Sequence, residues 1–481
     1  MSGIVGVVST ESCANTLLYG TDYHSHLGTQ YGGIAILGQK FYRQIHNISN
    51  SQFKSKFYED ITKMKGNKGI GVISDRNEQP MYINSKHGPF CLVTSGLIDN
   101  IDQLAKELLI KGVSFSEMCN STVNPTELVA KLINLGDNLE GGIVKVFDKI
   151  EGSCSILLLN KDGIYAARDR LGYTPLTIGK RDKDWAVTSE TCAFANNGFD
   201  IEKTLEPGEV VLIAESGISV KLKPRKENQI CAFSWIYTGF PASNYENINV
   251  EIVRERCGAA LAKNDTDIEI DLVAGIPDSG VGHAFGYAQE SKKPLRRPVV
   301  KYTPGYGRSY IPPSQETRDL IATMKLIPIK EVIENNRIIL CEDSIVRGTQ
   351  LKNFTVKKLW DCGAQELHVR VACPPLMFPC KFCLSTRSID ELAARKAIKS
   401  IEGEDIEDVS EYIDHKSQKY QKMVEWIRKD LNVTTLRYQK IDDMVEAIGL
   451  PKKGLCTYCW DGKCPKKSKA EDPTQKTCVA C

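Results

Sequence analysis

Residues 337 to 350 read RIILCEDSIVRGTQ, a stretch that joins an apolar run to a polar turn. The run from Ile338 to Cys341 predicts a buried strand, and two adjacent carboxylates, Glu342 and Asp343, stand at its end. A helix is predicted to follow the turn. Because a helix N-terminus carries unpaired N–H groups and the positive end of a dipole, this arrangement suits a phosphate.

The turn after the two acids has the composition of an anion-binding loop. Gly348 lets the backbone approach an anion, and Thr349 adds a hydroxyl donor. The carboxylates can accept hydrogen bonds from sugar hydroxyls, and they can help to hold Mg²⁺, which prefers oxygen ligands. A bare pair of acids is more simply an acidic strand end before a helix cap, but the whole string between a strand and a helix favours a phosphate site.

The two halves of the chain have different patterns. From about residue 250, strands such as IDLVAGIP alternate with helical runs such as GVGHAFGYAQESK, which predicts a parallel sheet with right-handed crossovers. The first 220 or so residues hold many short apolar runs and few helical patterns, which predicts layered sheets covered by helices. The fold class is therefore α/β with an α+β first domain, and the polar stretch 221–229 is interpreted as a linker.

Length and composition exclude several classes of protein. A chain of 481 residues is too long for one hydrophobic core. The formal charge of +2 predicts no nucleic-acid partner, and the lack of an apolar stretch of about 18 residues predicts no membrane span. No secretory signal is visible at the N-terminus, so we expect a cytoplasmic protein. For such a protein, metal ligation or reduced thiols explain 17 cysteines better than disulfides.

The string EDSIVRGT resembles the phosphoribosyl diphosphate signature of type I phosphoribosyltransferases, with Glu342 in place of the first of two usual aspartates and Gln350 in place of the last threonine. LVAGIPDSGVGHAFGYA resembles the diphosphate loop of the same family. The substrate-binding residues that the resemblance implies are Asp278, Ser279, Gly280, Glu342, Asp343, Ser344, Val346, Arg347, Gly348 and Thr349. Ser279, Glu342 and Asp343 are the expected Mg²⁺ ligands.

The polar stretch 304–324 is similar to the mobile loop that closes over the substrate in this family. A closed loop excludes water from a reactive ribosyl centre. Arg308 and Lys325 are candidates for neutralising phosphate charge there. A solvated loop without a role in binding is the alternative, and the residues alone do not choose between the two.

Nearly the whole chain resembles the glutamine phosphoribosyl diphosphate amidotransferase family. GIVGVVS, AARDRLGYTPL and LEPGEVV match its glutaminase domain, and CAFSWIYTGFPAS, CPPLMFPC and LCTYCWDGKCP follow in the family's order. The resemblance implies a four-layer αββα N-terminal-nucleophile domain at 1–225, a type I phosphoribosyltransferase domain at 226–450 and a cysteine-rich tail at 451–481. A homo-oligomer is expected as well.

Iron–sulfur members of this family hold a 4Fe–4S cluster with cysteines that fall on Cys231, Cys380, Cys456 and Cys459. Four thiolates also suit tetrahedral zinc, and only the resemblance selects iron. Free buried thiols are a third reading. Further cysteines at positions 383, 464, 478 and 481 give more thiols than one cluster needs, so the number of cysteines does not define the ligand set.

The glutaminase site departs from the family at several positions that carry chemistry. Ser2 stands where the family has its nucleophilic cysteine. The arginine that clamps the glutamine carboxylate falls on Ser74, the oxyanion-hole asparagine on Ser95, and the aspartate that holds the amine on Pro125. Arg76 lies near the first of these positions and could compensate. Each lost interaction is typically worth a few kcal/mol, so we predict a domain with little or no glutaminase activity.

The leading functional prediction is an amidophosphoribosyltransferase of purine biosynthesis. It would transfer ammonia or another small amine to phosphoribosyl diphosphate and give 5-phosphoribosylamine and diphosphate. Two alternatives stay open: a non-catalytic sensor of phosphoribosyl diphosphate, and a specialised phosphoribosyltransferase with a different amine acceptor. Measuring diphosphate release with ammonia present distinguishes all three.

Overall fold

The computed structural model describes residues 2–119, 122–302, 326–349, 351–383 and 388–463, with the side chains of 118 and 119 left aside. The candidate lid residues Arg308 and Lys325 lie outside the described residues, as do Gln350 and the cysteines at 464, 478 and 481.

Two antiparallel sheets form the first half of the chain. The first has seven strands, in spatial order Asp200–Thr204, Thr177–Arg181, Asp184–Thr188, Ser2–Val8, Lys68–Ser74, Tyr31–Leu37 and Phe41–Asn47. The second has six, in the order Gly217–Leu222, Val210–Ala214, Gly163–Ala167, Ser155–Asn160, Gly88–Ser95 and Met81–Ser85. Ser2–Val8 is buried along its whole length because it lies inside the first sheet and faces the second.

Helices cover the outer faces of both sheets. Ala14–Asp22, Phe53–Lys63 and Cys192–Ala195 pack on the first sheet, and Ile101–Ile110, Pro125–Asn134 and Leu139–Lys149 pack on the second. Three apolar cores fill the spaces between these layers, and the middle core, with Ile4, Ile70 and Leu157, lies between the sheets. This is the four-layer αββα arrangement that the resemblance implies.

A parallel sheet is the centre of the second half. Its four strands lie in the order Leu272–Gly275, Arg337–Glu342, Glu366–Val371 and Thr435–Tyr438. Among the described residues of this half, the helices are Val250–Lys263, Val281–Ser291, Lys330–Ile333, Lys357–Asp361, Ala393–Glu402, Ser410–Ile413, Gln418–Leu431, Ile441–Ile448 and Tyr458–Asp461. The α/β fold class is confirmed.

Short strand pairs fasten the connecting segments. Ile230–Cys231 pairs in parallel with Leu455–Cys456, so the beginning and the end of the second half meet. The antiparallel pairs are Val299–Lys301 with Leu326–Pro328, Asn244–Tyr245 with Ile248–Asn249, and Met118–Cys119 with Thr122–Val123. Short helical turns at Ile389–Glu391 and Lys452–Gly454 complete the elements, together with a π-helical turn at Ser234–Thr238.

One helical segment differs from the sequence expectation. The single helix expected after residue 350 begins as a wide π-helical turn, Leu351–Val356, and only then becomes α-helical. Further along the chain, Ser410–Ile413 and Gln418–Leu431 are separate helices, because Ser417 caps a new N-terminus by accepting a hydrogen bond from the Tyr420 N–H at 2.9 Å. Among the helices that the structure describes, none is both long and apolar enough to cross a membrane.

Candidate active site

The carboxyl edge of the parallel sheet brings two loops together. Leu272 lies opposite Ile338 and Gly275 opposite Cys341, so the chain leaves both strands at the same edge. The Ile276 N–H donates to the Cys341 carbonyl at 2.9 Å, which fixes the start of the first loop against the end of the second strand. Ligands of open parallel sheets bind at such an edge.

The expected Mg²⁺ ligands meet at this edge. Ser279 Oγ donates to Glu342 Oε1 at 3.2 Å, and the same oxygen accepts the Asp343 N–H at 3.1 Å. Ser344 Oγ donates to Asp343 Oδ1 at 2.5 Å. Loss of solvent around the Glu342 carboxylate, and then the neighbouring Asp343 charge, raise the pKa of Glu342 well above its ordinary value. A cation held here would relieve that repulsion.

In the first loop, which contains Asp278, Ser279 and Gly280, the backbone passes very close to the backbone of the strand that ends at Glu342. A Cβ added at Gly280 would lie 2.2 Å from the Cys341 carbonyl oxygen, so only glycine fits. The helix Val281–Ser291 starts at the next residue and directs its N-terminus at the loop. Lys301 Nζ forms an ion pair with Asp278 Oδ2 at 2.5 Å, and this lysine adds a cation that the sequence did not single out.

The second loop closes through its glycine. Gly348 has a φ of +76°, a backbone conformation that favours glycine, and its carbonyl accepts the Lys352 N–H at 2.9 Å. Arg347 pairs with Glu391 at 2.6 Å on the surface, and Val346 accepts the Ala393 N–H at 2.7 Å. Thr349 is exposed at the mouth of the turn. The turn is therefore held from one side and open to a ligand on the other.

Three of the positions at which the glutaminase pattern changes, together with Arg76, line one cavity of about 530 Å³. Ser2, Arg76, Ser95 and Pro125 are all part of its wall. Ser2 Oγ donates to Ser74 Oγ at 3.2 Å, and Ser95 Oγ donates to the Ser2 carbonyl at 2.5 Å. Three serine hydroxyl groups thus lie close together at the positions where the family pattern has a thiol, a guanidinium and an amide.

Pro125 is explained by the helix that it starts. It is the first residue of Pro125–Asn134, where a missing N–H costs nothing, and Asn124 caps the helix by accepting the Thr126 N–H at 2.9 Å. Glu127, the nearest acid in the helix, accepts the Ser116 and Glu117 N–H groups instead. This helix therefore offers the cavity a proline ring at the place of the family's carboxylate.

Buried thiols gather where the two halves meet. Cys231 lies opposite Cys456 in the short parallel pair, and Cys380 Sγ accepts the Phe382 and Cys383 N–H groups at 3.4 and 3.3 Å. Hydrogen bonding to Cys380 and then burial raise the pKa of the Cys459 thiol well above its ordinary value. Within the described ranges, no three His, Cys, Asp or Glu side chains have the geometry to hold one metal ion.

A polar network crosses the interface between the two halves of the chain, which is called the seam below. The sequence did not predict this network. Glu190 is 2% exposed, accepts Ser243 Oγ at 2.5 Å and the Tyr245 hydroxyl, and pairs with His26 Nε2 at 3.4 Å. Glu190 belongs to the first half, and Ser243 and Tyr245 to the second. The acid lies in the segment SETCAF, residues 189–194, and no local pattern there could have revealed its distant partners.

These features define the class of the protein. An αββα domain is followed by a parallel sheet whose carboxyl edge carries two acids, a glycine turn and a loop at a helix N-terminus. The chain is a transferase of the phosphoribosyltransferase class with an attached glutaminase-like domain.

Comparison with known proteins gives the family. The chain is 31% identical to the amidophosphoribosyltransferase of Methanocaldococcus jannaschii, over 98% of this chain and 99% of the relative. It is 29% identical to the Bacillus subtilis enzyme of the same name, over 96% and 94%. The chain belongs to the amidophosphoribosyltransferase family, whose members act in purine biosynthesis. A family model described as a glutamine amidotransferase domain matches residues 68–196.

Solved structures agree with this assignment. The B. subtilis glutamine phosphoribosylpyrophosphate amidotransferase complexed with ADP and GMP superposes with a TM-score of 0.82 at 29% identity, covering 96% of this chain and 97% of that one. A structure described as the allosteric regulatory enzyme of purine biosynthesis gives 0.81 at 28% identity and covers 96% of each chain. The fold expectation for both halves is therefore confirmed.

Proposed function

We propose that this protein makes 5-phosphoribosylamine and diphosphate from phosphoribosyl diphosphate and an amine that its own first domain does not release. The observation that carries the proposal is the contrast between the two sites. The carboxyl edge of the parallel sheet keeps the acids, the glycine turn and the diphosphate loop together. The cavity beside Ser2, in contrast, has Ser95 and Pro125 at the positions of the family's oxyanion donor and ammonium partner.

The retained site can hold each part of the sugar diphosphate. The turn that ends at Thr349 and the π-helical turn after it suit the 5-phosphate, and Glu342 and Asp343 suit the ribose hydroxyls. The Asp278–Gly280 loop, with its helix N-terminus and the nearby Lys301, suits the diphosphate. Nitrogen attack at C1 then expels diphosphate, which these groups stabilise as it leaves.

A magnesium ion fits the acids of this edge. Glu342 and Asp343 supply oxygen ligands, and Ser279 already contacts Glu342. The raised pKa of Glu342 marks a site where negative charge is crowded and a cation is favourable. When bound, the ion would neutralise charge on the diphosphate.

The first domain is proposed to be a pseudo-glutaminase. A serine nucleophile alone is compatible with amide hydrolysis, but Ser74, Ser95 and Pro125 replace the carboxylate clamp, the oxyanion donor and the ammonium partner together. Arg76 and Asp99 remain in the wall, whereas Glu127, the acid of the helix Pro125–Asn134, accepts the Ser116 and Glu117 N–H groups. The domain then serves to support the transferase half, with which it shares the Glu190 network.

A 4Fe–4S cluster on Cys231, Cys380, Cys456 and Cys459 belongs to the same proposal. The donor set fits, because the thiols are buried together and two backbone N–H groups already point at Cys380 Sγ. A cluster takes one thiolate for each iron, so its ligands need not surround a single ion. When bound, it would tie the tail to the start of the second half.

The domain limits 1–225, 226–450 and 451–481, a cytoplasmic location and a homo-oligomer complete the proposal. The described first sheets end at Leu222, and the tail begins just before Leu455–Cys456.

Diphosphate release tests the central claim. The full-length protein is incubated with phosphoribosyl diphosphate and Mg²⁺, with either ammonium chloride or glutamine as nitrogen source. We expect release with ammonia, little release and little glutamate with glutamine, and loss of the ammonia reaction in Asp343→Asn. Asp390→Asn, at an exposed position outside the two loops, is the matched control.

Three outcomes would contradict the proposal. Glutamine turnover equal to that with ammonia would show that the first domain is an active glutaminase. Tight binding of the sugar phosphate without any turnover would favour a sensor, and turnover with another amine only would favour a different acceptor.

A further inference from the structure

A cavity of about 220 Å³ lies beside the last strand of the parallel sheet, outside the two loops of the transferase site. Its wall comes from the C-terminal end of the helix Val250–Lys263, from the helix Gln418–Leu431, and from the strand Thr435–Tyr438 with the two residues that follow it. None of the residues assigned to the sites above lines this cavity. It is therefore a separate feature of the second half.

Two tyrosines in this wall are nine-tenths buried. Tyr420, on the helix, and Tyr438, at the end of the strand, are each 9% exposed. Neither hydroxyl group makes a hydrogen bond to any part of the chain that the structure describes. Burial raises the pKa of both phenols, so they keep their protons at neutral pH and can act as donors. Because buried polar groups of native proteins nearly always have a partner, two such hydroxyls at one cavity indicate an occupant that accepts hydrogen bonds.

The charged residues in the wall are cationic. His415, Arg437 and Lys440 line the cavity, and no lining residue is an aspartate or a glutamate. Arg437 is paired with two aspartates outside the wall. Lys440 Nζ contacts the Asn264 side-chain oxygen at 3.3 Å and forms no ion pair within the described ranges. An ammonium group and two phenols thus offer their donors to an anion.

The other part of the wall is apolar. Leu261 and Leu436 are buried there, and Val424 is half-buried. The cavity is smaller than the roughly 300–1,000 Å³ of pockets for drug-sized molecules, so it suits a small molecule with a short apolar body. A carboxylate can accept about four hydrogen bonds, enough for all three donors. Inorganic phosphate would leave the apolar wall without a contact.

The helix Gln418–Leu431 lines the cavity near its beginning and reaches the proposed phosphate turn at its end. A Cβ added at Gly348 would lie 3.3 Å from Leu431 Cδ2, so the helix packs directly on this glycine. Asp430 Oδ1 pairs with Lys352 Nζ, in the π-helical turn, at 2.7 Å. A molecule that orders the beginning of this helix therefore also restricts the element on which the phosphate turn rests.

We propose that this cavity binds a small organic carboxylate, and that the bound anion tightens the affinity of the transferase site for phosphoribosyl diphosphate. The carboxylate accepts hydrogen bonds from the two phenols and from Lys440, and the apolar body packs on Leu261, Val424 and Leu436. Once the helix is ordered by the anion, less ordering is left for the sugar phosphate to impose, so the coupling is favourable. The coupling rests on the proposed function, whereas the binding does not.

Calorimetric titration of the full-length protein with 3-methylbutanoate, benzoate and inorganic phosphate tests the site. We expect saturable binding of at least one of the two carboxylates, one per chain, and weaker binding of phosphate. Tyr420→Phe and Tyr438→Phe should each weaken carboxylate binding about tenfold. Neither variant should lose stability, because neither hydroxyl has a partner to lose. Tyr412→Phe is the matched control, since the Tyr412 hydroxyl donates to Glu402 at 2.6 Å outside the cavity, and it should leave the affinity unchanged.

Three results would overturn the binding site or its ligand class. These are no saturable binding of either carboxylate at millimolar concentration, an affinity that both cavity variants leave unchanged, and phosphate binding that is tighter than that of both carboxylates.

The coupling is measured in the ammonia reaction. A saturating concentration of the carboxylate that binds should lower the KM for phosphoribosyl diphosphate about fivefold and leave kcat unchanged, and the same concentration should have less effect on Tyr420→Phe. An unchanged KM in the parent protein overturns the coupling. If the protein has no affinity for phosphoribosyl diphosphate at all, the proposed function fails, and the calorimetric titrations still decide on the cavity.

Discussion

The folded chain raises the pKa of Glu342 well above its ordinary value. Burial and the adjacent Asp343 raise its pKa, while the Ser279 hydroxyl donates a hydrogen bond to its carboxylate at 3.2 Å. The raised pKa means that the folded chain holds a proton on this carboxyl more tightly than the unfolded chain does. Folding stability therefore falls as the pH rises from the ordinary glutamate pKa of about 4.3 through the raised value.

Glu342→Gln should remove this penalty. We expect the variant to be more stable than the parent at neutral pH, because the neutral amide has no charge to desolvate, and the two proteins to converge below the ordinary pKa. Urea unfolding across a pH series, without Mg²⁺, measures the difference. Glu391→Gln is the control, and a stability gap that does not change with pH would contradict the assignment.

Gly280→Ala should damage the diphosphate loop. The added Cβ would stand 2.2 Å from the Cys341 carbonyl oxygen, so the loop must move away from the strand. We expect a loss of about 1–3 kcal/mol in the free energy of unfolding and a weaker affinity for inorganic diphosphate. Gly20→Ala is the control, since its Cβ would meet Val5 at an ordinary 3.4 Å. Unchanged affinity in calorimetry would argue against a role for this loop.

At the scale of elements, the local sequence predicted strands and helices better than their ends. Asn124-Pro125 is a sequence typical of a helix start, and in the structure Asn124 caps the helix Pro125–Asn134. The π-helical turn Leu351–Val356 was not foreseen, because nothing in its side chains distinguishes a wide turn from an α-helical one. Its position next to the glycine turn agrees with the tendency of such turns to occur at functional sites.

Asn124→Ala should weaken the helix beside the Ser2 cavity. Asn124 accepts the Thr126 N–H at 2.9 Å and also the Asn77 side-chain amide at 2.9 Å, so both bonds are lost. We expect a destabilisation of about 1–2 kcal/mol. Asn138→Ala removes only one cap hydrogen bond from the exposed start of Leu139–Lys149 and should cost less. Equal losses in thermal unfolding would contradict this ranking.

At the scale of the whole molecule, sequence reasoning predicted the sites better than the seam between them. The acids and the glycine of EDSIVRGT are contiguous, so a local pattern suffices to find them. Glu190, Tyr245 and Cys383 act through partners many residues away, and no single segment carries that information. The spacing of the cysteines likewise indicated a set of cluster ligands only through the resemblance to the amidophosphoribosyltransferase family.

Glu190→Ala should uncouple the two halves. It removes the acceptor of Ser243 and Tyr245 and leaves two buried donors unsatisfied, at about 1–3 kcal/mol each. We expect two calorimetric transitions in place of one cooperative transition. Tyr245→Phe, which removes a single donor, is the milder control and should keep one transition. A single unshifted transition in Glu190→Ala would show that the seam is held by apolar packing alone.

The pairing of Ile230–Cys231 with Leu455–Cys456 has a consequence for how the chain is made. The two sheets of the first half are complete once Leu222 has left the ribosome, so they can close during synthesis. Ile230 and Cys231 must wait until nearly the whole second half has been translated before their partner strand emerges. The finished first half is then a surface on which the late-arriving half assembles, which is a use for a glutaminase-like domain that does not depend on catalysis.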